Sequence, residues 1–254
     1  MICIAKEFKI DMDSIEMSNK LQIYYIESID LENIDYLENS IYSNINCNYY
    51  WSNNWSKEFY IELAYAGFIT ITTEDDESNL LLLPEMQFGY SILDFKDLHI
   101  PKKVRSLIRK DNFIFTVNKN FNENLESIVN HHSDNWLYGE YITLLEDLLI
   151  HKDKKRNFKL LSIELSCKKT KKIVAGEIGY SIGKTYTSLT GFYSKEKEYN
   201  NYGKLQLVLL AKLLEKNGFS FWNLGHPYMD YKNSLGAKIY SREEFLKRWI
   251  EARD

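Results

Sequence analysis

From residue 158 to residue 216 the chain alternates apolar runs with abrupt turns, and those turns leave few ways to arrange the runs. Residues 158–167 and Ile173–Ile182 read as strands separated only by Lys168-Lys169-Thr170-Lys171-Lys172. Gly183-Lys184 is a two-residue connection to a third run, Thr185–Tyr193, and such a connection specifies an antiparallel hairpin. Residues 203–216 are too long and too apolar for anything but a buried helix, and Asn217-Gly218 ends it. Residues 219–224 read as one further strand and 241–248 as a closing helix. Upstream lie a strand at Phe113–Val117 and helices at 122–131 and 140–149. The order predicts an α+β domain: three antiparallel strands packed by a long helix and joined by a later strand.

The first hundred residues are less regular. Residues 28–40 suggest a short acidic helix, and 56–67 a second one, capped by Ser56 and ended by Gly67. Glu74-Asp75-Asp76-Glu77 reads as a solvated turn and residues 80–83 as a buried strand. Charge divides the chain. Residues 1–98 hold 5 Lys/Arg against 18 Asp/Glu, and residues 99–254 hold 27 against 18. A basic second part in a chain of net charge −4 points to a polyanionic partner. The segment LHIPKKVRSLIRK concentrates it. Pro101 opens a helix at its first turn, Val104, Leu107 and Ile108 make the inward stripe, and Lys102, Lys103, Arg105, Arg109 and Lys110 are left for phosphates.

No run approaches the roughly 18 apolar residues of a membrane span, and the charged start MICIAKEFKIDMD does not read as a signal peptide. Cys3, Cys47 and Cys167 are odd in number and scattered, which gives neither a disulfide framework nor a zinc spacing. The expectation is a cytoplasmic protein with no membrane and no metal.

The order of elements resembles the GNAT acyltransferase fold, which serves acyl-coenzyme A or aminoacyl-tRNA donors. Acetyltransferases of that fold cradle pyrophosphate in a glycine-rich loop before the long helix. Here the loop, residues 194–203, holds one glycine and two glutamates, which disfavours coenzyme A. Five segments in order then resemble the leucyl/phenylalanyl-tRNA–protein transferase family: LHIPKKVRSLIRK, LLSIEL, IVAGEIGYSIGKTYTSLTGFYS, NYGKLQLVLLAKLL and NSLGAKIYSREEFLKR. The resemblance covers residues 98–254 and is faint before them. It implies a GNAT-like aminoacyl transferase domain over 98–254 behind a small acidic N-terminal α/β domain over 1–97. Its substrates would be aminoacyl-tRNA and protein N-termini, and it would need no cofactor.

The reaction so implied is aminolysis of the ester joining an amino acid to the tRNA. Positioning, a base for the amine proton and donors to the oxyanion would carry it. The family places an Asp and a Gln after the strand that follows the long helix. Here that stretch is Trp222-Asn223-Leu224-Gly225-His226, so Asn223 stands in the Asp position as a hydrogen-bonding group and His226 is the candidate base. Tyr231 and Lys232 are candidates for contacting the terminal adenosine or the acceptor. Phe192, Leu207 and Leu210 match the pocket wall.

Glu177 stands where the family is apolar, and Thr190 where it is acidic. Continuing the two-residue turn outward pairs Glu177 with Thr190 and puts Tyr186, Ser188, Thr190 and Phe192 on one side of their strand. Either the carboxylate has changed strands and still meets the substrate amine, or it reads a cationic side chain. The reading inclines to arginyl transfer onto acidic N-termini, with leucyl or phenylalanyl transfer onto basic N-termini as the alternative. An acyl-coenzyme A-dependent N-acyltransferase and an inactive tRNA- or N-degron-binding module stay open. The pair His131-His132 reads as surface.

Overall fold

The computed structural model describes residues 23–132 and 136–254, so Cys3 and the charged start lie outside it. The chain forms two compact units, one of residues up to Phe88 with 133–147, the other of Gly89–His132 with Leu148–Asp254.

In the first unit, β1 (Tyr24–Tyr25) pairs in parallel with β2 (Tyr50–Trp51). The helix expected over 28–40 is broken at Asn33, whose extended backbone separates α1 (Ser28–Glu32) from α2 (Ile34–Tyr36) and the wide turn Leu37–Tyr42. Asn33 then caps the second piece through the amide of Tyr36. Helix α3 (Lys57–Ala66) has the ends its sequence dictates: the Ser56 hydroxyl accepts from the Phe59 amide, and Gly67 turns the chain off at φ +99°. The hairpin of β3 (Ile69–Glu74) and β4 (Leu80–Glu85) follows.

The second unit is built on a seven-stranded sheet. Its elements in chain order are β5 (Gly89–Leu93), α4 (Lys102–Lys110), β6 (Phe113–Val117) and α5 (Phe121–His131). Next come α6 (Glu140–Ile150), whose first turns belong to the other unit, then β7 (Lys159–Cys167), β8 (Ile173–Ile182) and β9 (Thr185–Tyr193). The chain closes with α7 (Tyr202–Lys216), β10 (Phe221–Asn223), α8 (Asp230–Leu235), β11 (Lys238–Ser241) and α9 (Arg242–Arg253). The strand order is β11-β5-β10-β9-β8-β7-β6, antiparallel except where β10 runs parallel to β9. Helix α7 buries Leu205, Val208, Ala211 and Leu214 with Ile163, Leu165 and Ala175 of the sheet and Trp222 of β10. Full burial of side chains this size contributes roughly 1.5–3 kcal/mol each. This is the α+β, GNAT-like arrangement that the order of elements implies.

Pro101 is the N-cap of α4, not its first helical residue, since its ψ of 150° is still extended. The final helix runs on to Arg253 from a capping box in which Ser241 and Glu244 bond each other's backbone amides. Strand β5 precedes residue 98 and yet lies inside the larger sheet, between β10 and β11.

Candidate active site

Strands β9 and β10 stay together for only three residue pairs, Thr185 with Phe221, Tyr186 with Trp222 and Thr187 with Asn223. After Asn223 the chain turns at Gly225 (φ +73°) toward β5, where Leu224 and Gly225 exchange backbone hydrogen bonds with Ser91. Strand β9 continues to Tyr193 with no strand on that side among the described residues. The strands thus part, and the notch begins at Ser188.

At the base of the notch Glu177 is 4% exposed. Its Oε1 accepts from the Tyr186 hydroxyl at 2.9 Å and the Ser188 hydroxyl at 2.8 Å, and its Oε2 from Gln206 Nε2 at 3.1 Å. Trp222 Nε1 donates to Ser188 Oγ at 2.8 Å and fixes that hydroxyl from the next strand. Burial pushes the Glu177 carboxyl up, while the bonds from Ser188, Gln206 and Tyr186 and the nearby Lys232 charge pull it back. Burial and the same carboxylate push the Tyr186 hydroxyl far up, so it stays a donor.

The register differs from a regular hairpin. Pairs run from Ile182 with Thr185 to Gly179 with Ser188, but then Ile178 faces Thr190 and Glu177 faces Gly191. Leu189 is the extra residue of a β-bulge. Glu177 is therefore not opposite Thr190. Because a one-residue slip reverses faces, Tyr186 and Ser188 share the face of Glu177, whereas Thr190 and Phe192 lie on the other.

Lys232 is 3% exposed, and its ammonium donates to the carbonyls of Leu224 at 2.5 Å and His226 at 2.6 Å. It holds the loop from inside instead of reaching outward. Burial lowers its pKa to about 8 against the opposing pull of Glu177. Asn223 is 1% exposed; its Oδ1 accepts from the Gly225 amide at 2.9 Å, so its amide braces the turn. His226 is half-buried, its ring stacked 6.2 Å from that of Tyr228, and Tyr231 is exposed. Leu210 is fully buried in the core, with Leu207 partly buried against it. Lys102, Lys103, Arg105, Arg109 and Lys110 are all exposed on α4, with Val104 turned inward. Gln206 and Trp222 complete the site unforeseen; a lone amide in an otherwise apolar helix was the available signal for Gln206. Among the described residues no group of His, Cys, Asp or Glu is placed to hold a metal, and no helix is long and apolar enough to cross a membrane.

The family model described as leucyl/phenylalanyl-tRNA protein transferase matches residues 92–249, more than half of the chain. The chain belongs to that family. It is an aminoacyltransferase, and the family implies aminoacyl-tRNA and protein N-termini as its substrates. The leucyl/phenylalanyl-tRNA–protein transferase of Flavobacterium johnsoniae is 25% identical over 190 residues, which cover 73% of this chain and 82% of that protein. Neither comparison supports the inclination to arginyl transfer, and both accord better with the leucyl/phenylalanyl alternative. Among solved structures the chain is similar to L-PGS from Bacillus licheniformis, at 13% identity and TM-score 0.37 over 65% of each chain. It is also similar to a GCN5-related glucosamine N-acetyltransferase region of a fungal multi-domain β-N-acetylglucosaminidase, at 12% identity and TM-score 0.45. That match covers 70% of this chain and 21% of the other.

Proposed function

We propose that this transferase moves leucine or phenylalanine from charged tRNA to the α-amine of proteins with basic N-termini. The observation that carries the donor choice is the seat of Glu177. Reading a guanidinium takes a carboxylate whose lone pairs are open to a planar fork of donors. Here Tyr186, Ser188 and Gln206 already donate to both oxygens, and the Lys232 charge lies nearby. The anion that inclined the sequence reading to arginine has its partners inside the protein. The donors in the name of the Flavobacterium relative support the same choice.

In the reaction the acceptor nitrogen bonds to the ester carbonyl carbon, the C–O bond to the ribose breaks, and the ribose oxygen leaves with a proton. His226 takes the amine proton, because its half-buried imidazole stands on the loop that borders the notch. Asn223 shapes that loop through Gly225. Exposed Asp230 and Tyr231, at the start of α8, meet the acceptor, and an anion at Asp230 suits a basic N-terminus. The cations of α4 take tRNA phosphates.

The test is a transfer assay with leucyl-, phenylalanyl- and arginyl-tRNA, each offered peptides beginning in Lys, Arg, Asp or Glu. Leucine or phenylalanine appearing on the Lys and Arg peptides is expected. Preferential incorporation of arginine overturns the donor assignment, and preference for Asp and Glu peptides overturns the acceptor assignment. A His226→Gln enzyme should lose kcat by at least tenfold.

A further inference from the structure

Where β9 ends, an open groove of about 490 Å³ lies between residues 192–195, the start of β8 and the end of α5. Three rings line it. The His131 ring lies 5.1 Å from that of Tyr193 and 6.3 Å from that of Phe192. Tyr193 is 54% exposed, an aromatic face left open at the notch end of the strand. The position of His131 is fixed by its neighbour: His132 Nε2 lies 3.0 Å from the Gly191 carbonyl, and since a carbonyl only accepts, that nitrogen carries the proton. Burial, with the charges of His132 and Lys195, holds the His131 imidazole below its ordinary range, so it presents a neutral ring near pH 7.

The groove is also cationic. Lys195 and Lys172 line it, the second paired with Glu196. The turn of Lys168, Lys169 and Lys171 leads into it, and Lys168 is bridged at 2.6 Å to Asp111, where α4 ends. Exposed lysines therefore continue from the basic helix to the groove. Stacking faces beside a basic track form the arrangement that holds single-stranded nucleic acid without reading its sequence.

We propose that this groove seats an unpaired nucleotide of the donor tRNA, its base on Tyr193 and His131 and its phosphate on Lys195. The proposal rests on the tRNA-dependent reading above. It adds a contact separate from α4, at the end of β9 beyond the Ser188 and Glu177 positions.

Fluorescence anisotropy with labelled uncharged tRNA and a labelled five-nucleotide single-stranded RNA tests it. The wild type should bind both. Tyr193→Leu should weaken oligonucleotide binding about tenfold, while Tyr193→Phe, which keeps the ring, should bind like the wild type. Lys195→Gln should reduce the salt slope for the oligonucleotide by about 0.7. If the wild type binds tRNA but Tyr193→Leu and Lys195→Gln leave oligonucleotide binding unchanged, the groove assignment is wrong and the transferase reading stands. Failure of the wild type to bind any tRNA overturns both.

Discussion

Glu177 faces Gly191 across the hairpin of β8 and β9, and the missing side chain at Gly191 is what leaves the carboxylate its seat. A Cβ at Gly191 would stand 2.8 Å from the Gly176 carbonyl and 3.0 Å from the Glu177 Cβ, closer than packed atoms tolerate. Gly191→Ala should therefore push the two strands apart at the notch. A loss of about 1–3 kcal/mol in urea unfolding is expected, with a fall in transfer larger than the loss of folded protein explains. An alanine enzyme of normal stability and activity would show that the close approach is unimportant.

The Glu177 carboxylate itself separates two roles. Glu177→Gln keeps an acceptor oxygen for Tyr186 and Ser188 and should fold with little loss. Glu177→Met leaves the buried donors Tyr186 and Gln206 without their acceptor, at about 1–3 kcal/mol each, and the half-buried Ser188 at less. Unfolding midpoints should therefore order as wild type, then Gln, then a much weaker Met enzyme. With leucyl-tRNA as donor, the Gln enzyme should retain most of its activity. Loss of leucine transfer in a stably folded Gln enzyme would give the charge itself a part in the chemistry.

Lys232 makes stability depend on alkaline pH in a particular sense. Its folded pKa of about 8 lies below the unfolded value of 10.5, so the folded state resists its protonation. That penalty is full below pH 8 and is relieved as pH rises from 8 toward 10.5, where the unfolded chain still holds the proton. The shift corresponds to a gain on the order of 3 kcal/mol across that window. Buried tyrosines such as Tyr60 and Tyr186, whose hydroxyls burial pushes up, act in the opposite sense above pH 10. The comparison that isolates Lys232 is wild type against Lys232→Met, by urea unfolding at pH 7.5 and 9.5. The wild type should gain on the variant as pH rises; parallel curves would mean the ammonium is better solvated than its burial suggests.

Much of the larger unit was legible because its signals are local. Gly183-Lys184 forces a hairpin wherever the strands end up, and Ser56, Gly67 and Asn217 mark helix ends by their own backbone chemistry. Strand β5 was missed because its neighbours, β10 and β11, lie more than a hundred residues further on, and Tyr90-Ser91-Ile92-Leu93 is too short to show a period. The bulge at Leu189 is a tertiary fit: Gly179 stands beside it on the partner strand, but a glycine within a strand does not by itself say where the register slips. That single residue moved Thr190 and Phe192 to the other face and reassigned half of the expected pocket. Lys232 reads as a surface cation in a polar stretch, and only the fold turns it inward under Leu224.

The Leu-Gly-Ala run near the C-terminus has a backbone explanation. Leu235 and Ala237 are buried, and between them Gly236 ends α8 at φ +108°. A Cβ there would sit 2.0 Å from the Asp97 carbonyl. Gly236→Ala should destabilise by about 3 kcal/mol from strain and overlap together, lowering the thermal midpoint by several degrees. A change within 1 °C would show that the segment near Asp97 yields easily.

The α4 cations allow a separable test of tRNA binding. Arg105 Nε also donates to the Ile100 carbonyl at 2.9 Å, so replacing it would disturb the start of the helix as well as its charge. Lys102, Lys103, Arg109 and Lys110 are exposed, and replacing them together leaves the buried Val104 untouched. Each cation–phosphate pairing removed should flatten the plot of log K against log salt by about 0.9 where the tRNA is duplex. The fourfold Gln variant should therefore bind tRNA with a slope shallower by up to about 3.6. Relative to the wild type, its binding should be weakened markedly more at low salt than at high salt. Because the Glu177 notch is built from other elements, leucine transfer at saturating tRNA should change far less than transfer at limiting tRNA. An unaltered slope with reduced affinity would place the phosphate-binding cations elsewhere and leave α4 a structural role.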